Sequence, residues 1–198
     1  MNKTDLDYLK IKLKKIYGYE KFRPGQEDII ETILEKKNVL AVMPTGAGKS
    51  LCYQLPAIAS DFSSIVVSPL LALMDDQVDG LEALGLSVSS IHSGKDRETN
   101  ILEWKKFVSG HTKIMYLSPE RLMQERMIKA LQRLNVGLFV IDEAHCISKW
   151  GPDFRPQYSE LSHLKKHFPN ANIAAFTATA DKATREDIVA QLSDKDVK

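Results

Sequence analysis

Residues 39–56 read VLAVMPTGAGKSLCYQLP. The first five, Val39 to Met43, are a short apolar run with β-branched residues, expected as a buried strand; residues 44–48 are a turn, and a helix is expected to open at Lys49-Ser50. Gly46 and Gly48 permit backbone angles that turn successive N–H groups inward, and the helix N-terminus adds its dipole, so the turn can cradle phosphate oxygens. Thr45, Gly46, Ala47, Gly48, Lys49 and Ser50 are therefore candidate nucleotide contacts, with Lys49 reaching the β and γ phosphates and the Ser50 hydroxyl holding Mg²⁺. The strict form of such a loop opens on Gly, where this chain has Met43. A Gly-containing turn that binds nothing is the alternative reading.

Further apolar runs follow at 65–67, 88–91, 114–117, 138–141 and 173–176, separated by helical patterns at 77–84, 100–108, 124–134 and 184–192. Continuous apolar strands alternating with helices imply an α/β fold, a mainly parallel central sheet with helices on both faces. In such sheets ligands bind outside the carboxyl ends of the strands. Before the sheet lies a helical lead-in, residues 1–37. Leu6, Leu9, Leu13 and Ile16 stand at helical spacing up to a stop at Gly18, and a second helix over 24–37 should bury Ile29, Ile30, Ile33 and Leu34. Residues 38–198 read as one nucleotide-binding unit.

A chain of 198 residues that is 43% hydrophobic and 27% charged can bury a full core without disulfide or metal staples, which excludes collagenous, disordered and small disulfide-rich classes. The net charge of +1 gives no global bias toward nucleic acid or membrane, so any nucleic-acid site must be a local patch. Cys52 and Cys146 stand apart in apolar contexts without a CxxC pair, and read as reduced core thiols of a cytoplasmic protein rather than a disulfide. No apolar run approaches the ~20 residues a membrane span needs.

Leu138-Phe139-Val140-Ile141 runs into Asp142-Glu143-Ala144-His145. The apolar residues drive this strand into the sheet, and two carboxylates emerge at its end. Asp142 is placed to bind Mg²⁺, directly or through water, and Glu143 to orient and deprotonate an attacking water. Adjacent acids after a strand also form solvated turns and helix caps. His145 either couples this site to another part of the protein or is a satisfied polar residue beneath the sheet edge. It has no His or Cys at ligand spacing, so a metal-ligand role is not assigned.

Together these motifs resemble the RecQ family of superfamily 2 DNA helicases, of the DEAH type, over about residues 13–192. The resemblance implies a RecA-like P-loop NTPase domain using ATP and Mg²⁺. Leu13, Tyr17, Gly18, Phe22, Arg23, Gln26 and Ile30 fit that family's adenine-reading motif, which implies that Gln26 pairs with the adenine edge while Tyr19 and Arg23 sandwich the ring. An amide can bond adenine bidentately, and a guanidinium offers a stacking plane. Tyr19 and Phe22 could instead pack between the first two helices, the reading preferred for Phe22.

Val67-Ser68-Pro69-Leu70 with Leu73-Met74-Asp75-Asp76-Gln77-Val78 resembles a strand-gripping motif, and Tyr116-Leu117-Ser118-Pro119-Glu120-Arg121-Leu122 resembles the next one. Ser68, Pro69, Ser118 and Arg121 are thereby candidate DNA contacts, although a Ser-Pro step also simply ends strands. Phe176-Thr177-Ala178-Thr179-Ala180 resembles the motif that couples hydrolysis to unwinding, through Thr177 and Thr179. Residues 146–158, CISKWGPDFRPQY, resemble the family's aromatic-rich loop that senses single-stranded DNA. Trp150, Phe154 and Tyr158 alternate there with Lys149 and Arg155, a mixture of stacking faces and cations suited to unpaired bases at about 1–3 kcal/mol per stacked base. A packed loop capping the core is the alternative. The chain departs from the family at Pro152, commonly His, at Lys149, often Gln, and at Ala47, commonly Gly. Proline removes a titratable donor and stiffens the loop.

The resemblance implies the first motor half of an ATP-dependent 3′–5′ DNA helicase acting in replication, recombination and repair, with a second RecA-like half as partner. That half and the family's zinc-binding and winged-helix regions are expected to be absent from this chain. By itself it should be monomeric, hold no zinc, and bind and hydrolyse ATP weakly. It should act at the nucleoid in a bacterium or the nucleus in a eukaryote, away from membranes. Two other readings stay open: a non-catalytic nucleotide- and strand-binding module, which gives no reason for Glu143, and an RNA helicase of the DEAH group.

Overall fold

The computed structural model describes residues 3–149, 153–192 and 197–198, with side chains from residue 6 onward. Helix α1 (Lys3–Lys12) continues into a π-helical turn, Leu13–Tyr17, which ends where Gly18 turns left-handed at φ +74° and donates its N–H to the Lys14 carbonyl. Then follow α2 (Gln26–Leu34), β1 (Val39–Val42), α3 (Lys49–Ala59), β2 (Ser63–Val67), α4 (Leu71–Ala83), β3 (Ser89–Ile91), α5 (Arg97–Val108) and β4 (Ile114–Leu117). The remainder comprises α6 (Pro119–Leu122), α7 (Glu125–Leu131), β5 (Val136–Ile141), α8 (Pro156–Ser159), α9 (Leu164–His167), β6 (Asn172–Thr177) and α10 (Lys182–Leu192).

The strands form one sheet in the order β1-β6-β5-β2-β4-β3, and every described pairing is parallel. All strand C-termini therefore open onto one edge, and β6 alone separates β1 from β5. Alternation along β5 shows why both faces need cover. Leu138 and Val140 join Tyr53 and Leu55 of α3 and Met74 of α4, whereas Phe139 and Ile141 join Phe107 of α5, Leu131 of α7 and Ile188 of α10. The lead-in has no core of its own: Leu9, Leu13, Ile30 and Ile33 pack in the same cluster as Cys52 and Leu55.

The expected strands are present, with ends differing by a residue or two. Ser63, Ser64 and Asn172 are polar yet sit in the ladders, because pairing registers rather than hydropathy set where β2 and β6 begin. Helix α4 starts at Leu71, well before the expected residue 77, and the short helices α8 and α9 were not expected. In α2 the buried apolar face narrows to Ile30 and Ile33, with Ile29 and Leu34 half-buried. Cys52 and Cys146 are both free and buried, as read from their contexts. Burial pushes the Cys52 thiol up to about 12 and that of Cys146 to about 11.

Because the lead-in shares the central core, Leu13→Ala should destabilise the whole chain by about 2–5 kcal/mol. Denaturant unfolding followed by circular dichroism and by fluorescence should then shift as one transition; a separate early transition would show that the lead-in folds apart.

Candidate functional site

Helix α3 starts at Lys49, and the preceding Gly48 and Gly46 take φ +82° and +80°. A Cβ at Gly48 would also lie 2.5 Å from Gln26 Nε2, so the Gln26 amide would have to move off the turn. The turn is thus built as expected, with a helix N-terminus behind it, and Ser50 follows Lys49 in the first turn. Met43, at the position where the strict loop has Gly, belongs instead to the sheet edge. It is buried, and its N–H donates to the Thr177 carbonyl at 2.9 Å.

At the end of β5, the Asp142 N–H extends the ladder to the Val67 carbonyl at 2.9 Å, and the buried Tyr158 hydroxyl donates to the Asp142 carbonyl at 3.1 Å. Glu143 then adopts a left-handed conformation at φ +49°, unusual for a residue with a side chain and costing on the order of 1–3 kcal/mol. This kink opens a tight turn, Ala144–Ile147, and sets Glu143 Oε1 3.2 Å from Lys49 Nζ, with Asp142 Oδ1 3.9 Å away from the same ammonium. Burial raises the Asp142 pKa above the ordinary carboxylate range; Lys49 opposes that rise and Glu143 adds to it.

His145 Nδ1 lies 2.8 Å from Thr177 Oγ1 and 3.3 Å from Glu143 Oε2, and Nε2 lies 3.7 Å from Asp153. The Thr177 hydroxyl also donates to the Thr179 carbonyl at 3.0 Å. The His145 ring joins the acid turn to the end of β6, a contact that both readings of His145 accommodate.

The adenine-motif residues dock on the phosphate turn. Gln26 is 3% exposed, and its amide donates to the carbonyls of Ala47 and Gly48, each at 3.2 Å, while its Oε1 accepts from the Arg23 N–H at 2.9 Å. The Arg23 guanidinium donates to the Gly46 carbonyl. Tyr19, by contrast, is 52% exposed. Thr45 is exposed on the turn, and Phe22 is half-buried against the α2–α3 core.

The residues expected to touch DNA divide. Pro69, Ser118, Lys149, Phe154 and Thr179 have accessible surface at the carboxyl edge. Ser68 does not: it is 2% exposed, and its hydroxyl has no hydrogen-bond partner among the described residues. The Ser118 oxygen caps α6 by accepting from the Arg121 N–H at 3.3 Å, and the Arg121 guanidinium donates to Gln124 at 3.1 Å. Arg155 spans two loops, its guanidinium donating to the Pro69 carbonyl at 3.1 Å and its N–H to the Cys146 carbonyl at 2.9 Å. Tyr158 is a core residue, and Thr177 is fully buried. Trp150 and Pro152 lie outside the described residues.

A family model described as DEAD/DEAH box helicase matches residues 23–188. The chain belongs to the DEAD/DEAH box helicase family. Asp142-Glu143-Ala144-His145 spells the second form of the box. The chain is 46% identical to the ATP-dependent DNA helicase RecQ of Haemophilus influenzae, over 93% of this chain and 30% of that protein. It is 43% identical to the ATP-dependent DNA helicase RecQ of Bacillus subtilis, over 91% of this chain and 31% of that protein. It thus spans about a third of the length of these relatives. Among solved structures, a hypothetical ATP-dependent RNA helicase from Sulfolobus tokodaii superposes with a TM-score of 0.73 at 19% identity, covering 96% of this chain and 56% of that one. The parallel sheet with helices on both faces is the RecA-like fold of these helicases.

The Asp142 shift has a sign that can be measured. With a raised folded-state pKa, the native state binds more protons than the unfolded state between the ordinary and the raised value, so stability falls as pH rises through that window. Asp142→Asn should therefore melt above the parent at neutral pH, and the gain should vanish as pH falls below the ordinary carboxylate value of about 4. Equal melting temperatures at pH 7 would contradict the assigned shift.

Proposed function

We propose that this chain is the first motor half of an ATP-dependent DNA helicase of the RecQ type, tracking 3′ to 5′, with residues 1–37 as the adenine-reading lead-in and 38–198 as the RecA-like unit. The observation that carries the reading is one ammonium, Lys49, at the mouth of the phosphate turn and within 3.2 Å and 3.9 Å of the two carboxylates that end β5. The order of the matched motifs and the RecQ relatives support it.

In this reading the N–H groups of Thr45 to Lys49 and the α3 N-terminus hold the phosphates, with the Lys49 ammonium against the outer ones. Glu143 Oε, brought forward by its left-handed backbone, takes the proton of the attacking water. Gln26 and Arg23, already on the turn, leave its carbonyls for the adenine edge and face, with Tyr19 stacking opposite. Among the described residues no group of three or more His, Cys, Asp or Glu side chains could hold a metal. That suits Mg²⁺, which takes one or two protein ligands and completes its shell with phosphate oxygens and water. Ser50 and Asp142 would hold it, and the ion would neutralise charge on the phosphates. The aromatic loop and the accessible residues at the carboxyl edge would meet single-stranded DNA. A second RecA-like half would close over the nucleotide and supply an arginine for the developing charge.

In a protein of the relatives' full length, Lys49→Ala should weaken MgATP binding. Glu143→Gln should retain binding yet lower DNA-stimulated phosphate release about 10²–10⁴-fold. Unchanged phosphate release in both variants would reject the site. Single-stranded DNA should also stimulate that release more than RNA of the same sequence, and an RNA preference would move the assignment to the RNA-acting members.

A further inference from the structure

The aromatic loop leaves the acid turn at Ser148, and what holds that point is a carboxylate that no motif reading singled out. The fully buried Ser148 donates its hydroxyl to Asp187 Oδ2 at 2.7 Å. One turn along α10, Gln191 donates its amide to Asp187 Oδ1 at 2.9 Å and reaches the Ile147 carbonyl at 3.4 Å. The Lys149 N–H donates to the same carboxylate, and the Lys149 charge lies near it. Partial burial acts to raise the Asp187 pKa, but these donors outweigh it and hold the carboxyl below its ordinary value.

Helix α10 follows directly on Thr177–Ala180. The segment from Glu143 to Lys149 is therefore tied both to the end of β6, by His145 on Thr177 at 2.8 Å, and to α10, by Ser148 on Asp187 at 2.7 Å and by the Gln191 and Lys149 bonds. The far root of the loop is fixed separately, by Arg155 on the Cys146 and Pro69 carbonyls.

A carboxylate beside a nucleic-acid-binding loop is electrostatically unfavourable. It subtracts from the local positive potential and offsets Lys149, the exposed cation at that end of the loop. Its place there calls for a benefit other than charge. We propose that Asp187 is a positioning residue for the root of the strand-sensing loop: it fixes Ser148 and Lys149, so that this end of the loop is ordered before single-stranded DNA arrives and moves with the β6–α10 unit. This rests on the reading that the loop contacts DNA. The physical basis is preorganisation, since backbone that is ordered before binding loses less conformational entropy in the complex.

Charge and position predict opposite signs for one substitution. If Asp187 acted through its charge alone, Asp187→Ala would tighten DNA binding; as a positioning residue, its loss weakens binding by roughly tenfold, the scale of one charge-assisted hydrogen bond with its ordering. Fluorescence anisotropy of a labelled single-stranded oligothymidine, titrated with this chain at fixed low salt, reads the difference. MgATP affinity and melting temperature serve as controls that should stay near the parent values. Asp187→Asn keeps an acceptor oxygen for Ser148 while discarding the charge, and should restore most of the affinity. Equal or tighter binding by Asp187→Ala overturns the inference. If that variant melts well below the parent, Ser148→Ala carries the test in its place, and parental affinity in it overturns the inference equally. Absence of DNA binding by the unsubstituted chain would instead overturn the strand-binding reading on which the inference stands.

Discussion

Two carboxylates at the end of β5 stand within 3.9 Å of one ammonium at the start of α3, and all three groups are largely withdrawn from water. Unbalanced charge in such a place is costly, because the medium screens it weakly and burial removes its hydration. The pairing can form because the sheet is wholly parallel and places the ends of β1 and β5 on one edge, a single strand apart. The intervening strand is part of the device: β6 receives the Met43 N–H on its Thr177 carbonyl and the His145 ring on its Thr177 hydroxyl. A shift of either flanking loop is thereby felt at Thr177. The strain at Glu143 belongs to the same arrangement, for without the left-handed turn after Asp142 the second carboxylate could not swing toward Lys49.

Gln26 and Arg23 bind the carbonyls of Gly46, Ala47 and Gly48, so the lead-in and the glycine turn form one hydrogen-bonded unit. The lead-in that carries them is anchored by Leu9, Leu13, Ile30 and Ile33 in the core that also holds α3. A buried polar chain links the same helices further in. Tyr17 donates to Gln54 at 3.2 Å, and Gln54 donates to Gln77 of α4 at 3.1 Å. Burial raises the Tyr17 pKa beyond the ordinary tyrosine range, and the nearby Tyr116 adds to the rise.

Legibility in the sequence tracked the range of the interactions. The phosphate turn and the acid turn could be read because their chemistry is local: glycines at fixed offsets, a lysine opening a helix, two acids after an apolar strand. Strand interiors could be read for the same reason, while strand ends at Ser63 and Asn172 could not, since a polar residue joins a ladder only when its partner strand is present. Ser68 and Arg155, read as candidate strand contacts, and Tyr158, read as part of the aromatic loop, have surroundings that the sequence did not show: Ser68 and Tyr158 are buried and Arg155 is half-buried. Arg155 bonds the Pro69 carbonyl and Tyr158 the Asp142 carbonyl, both distant in sequence. Asp187 was invisible, because an acid in the middle of a polar helix carries no signal until Ser148 is known to face it.

The charge balance of the site also bears on why a longer chain is expected to do the work. Lys49 offsets one of the two carboxylates, which leaves this pocket net negative before any phosphate arrives. A nucleoside triphosphate would add several more negative charges to a region of weak screening. The α3 N-terminus contributes only partial positive charge, and Arg23 is engaged with the turn. In the proposed reading, further positive charge would come from a metal ion arriving with the phosphates and from the surface that closes over them. On that reading this chain would supply orientation and a base, and charge neutralisation would be completed on closure.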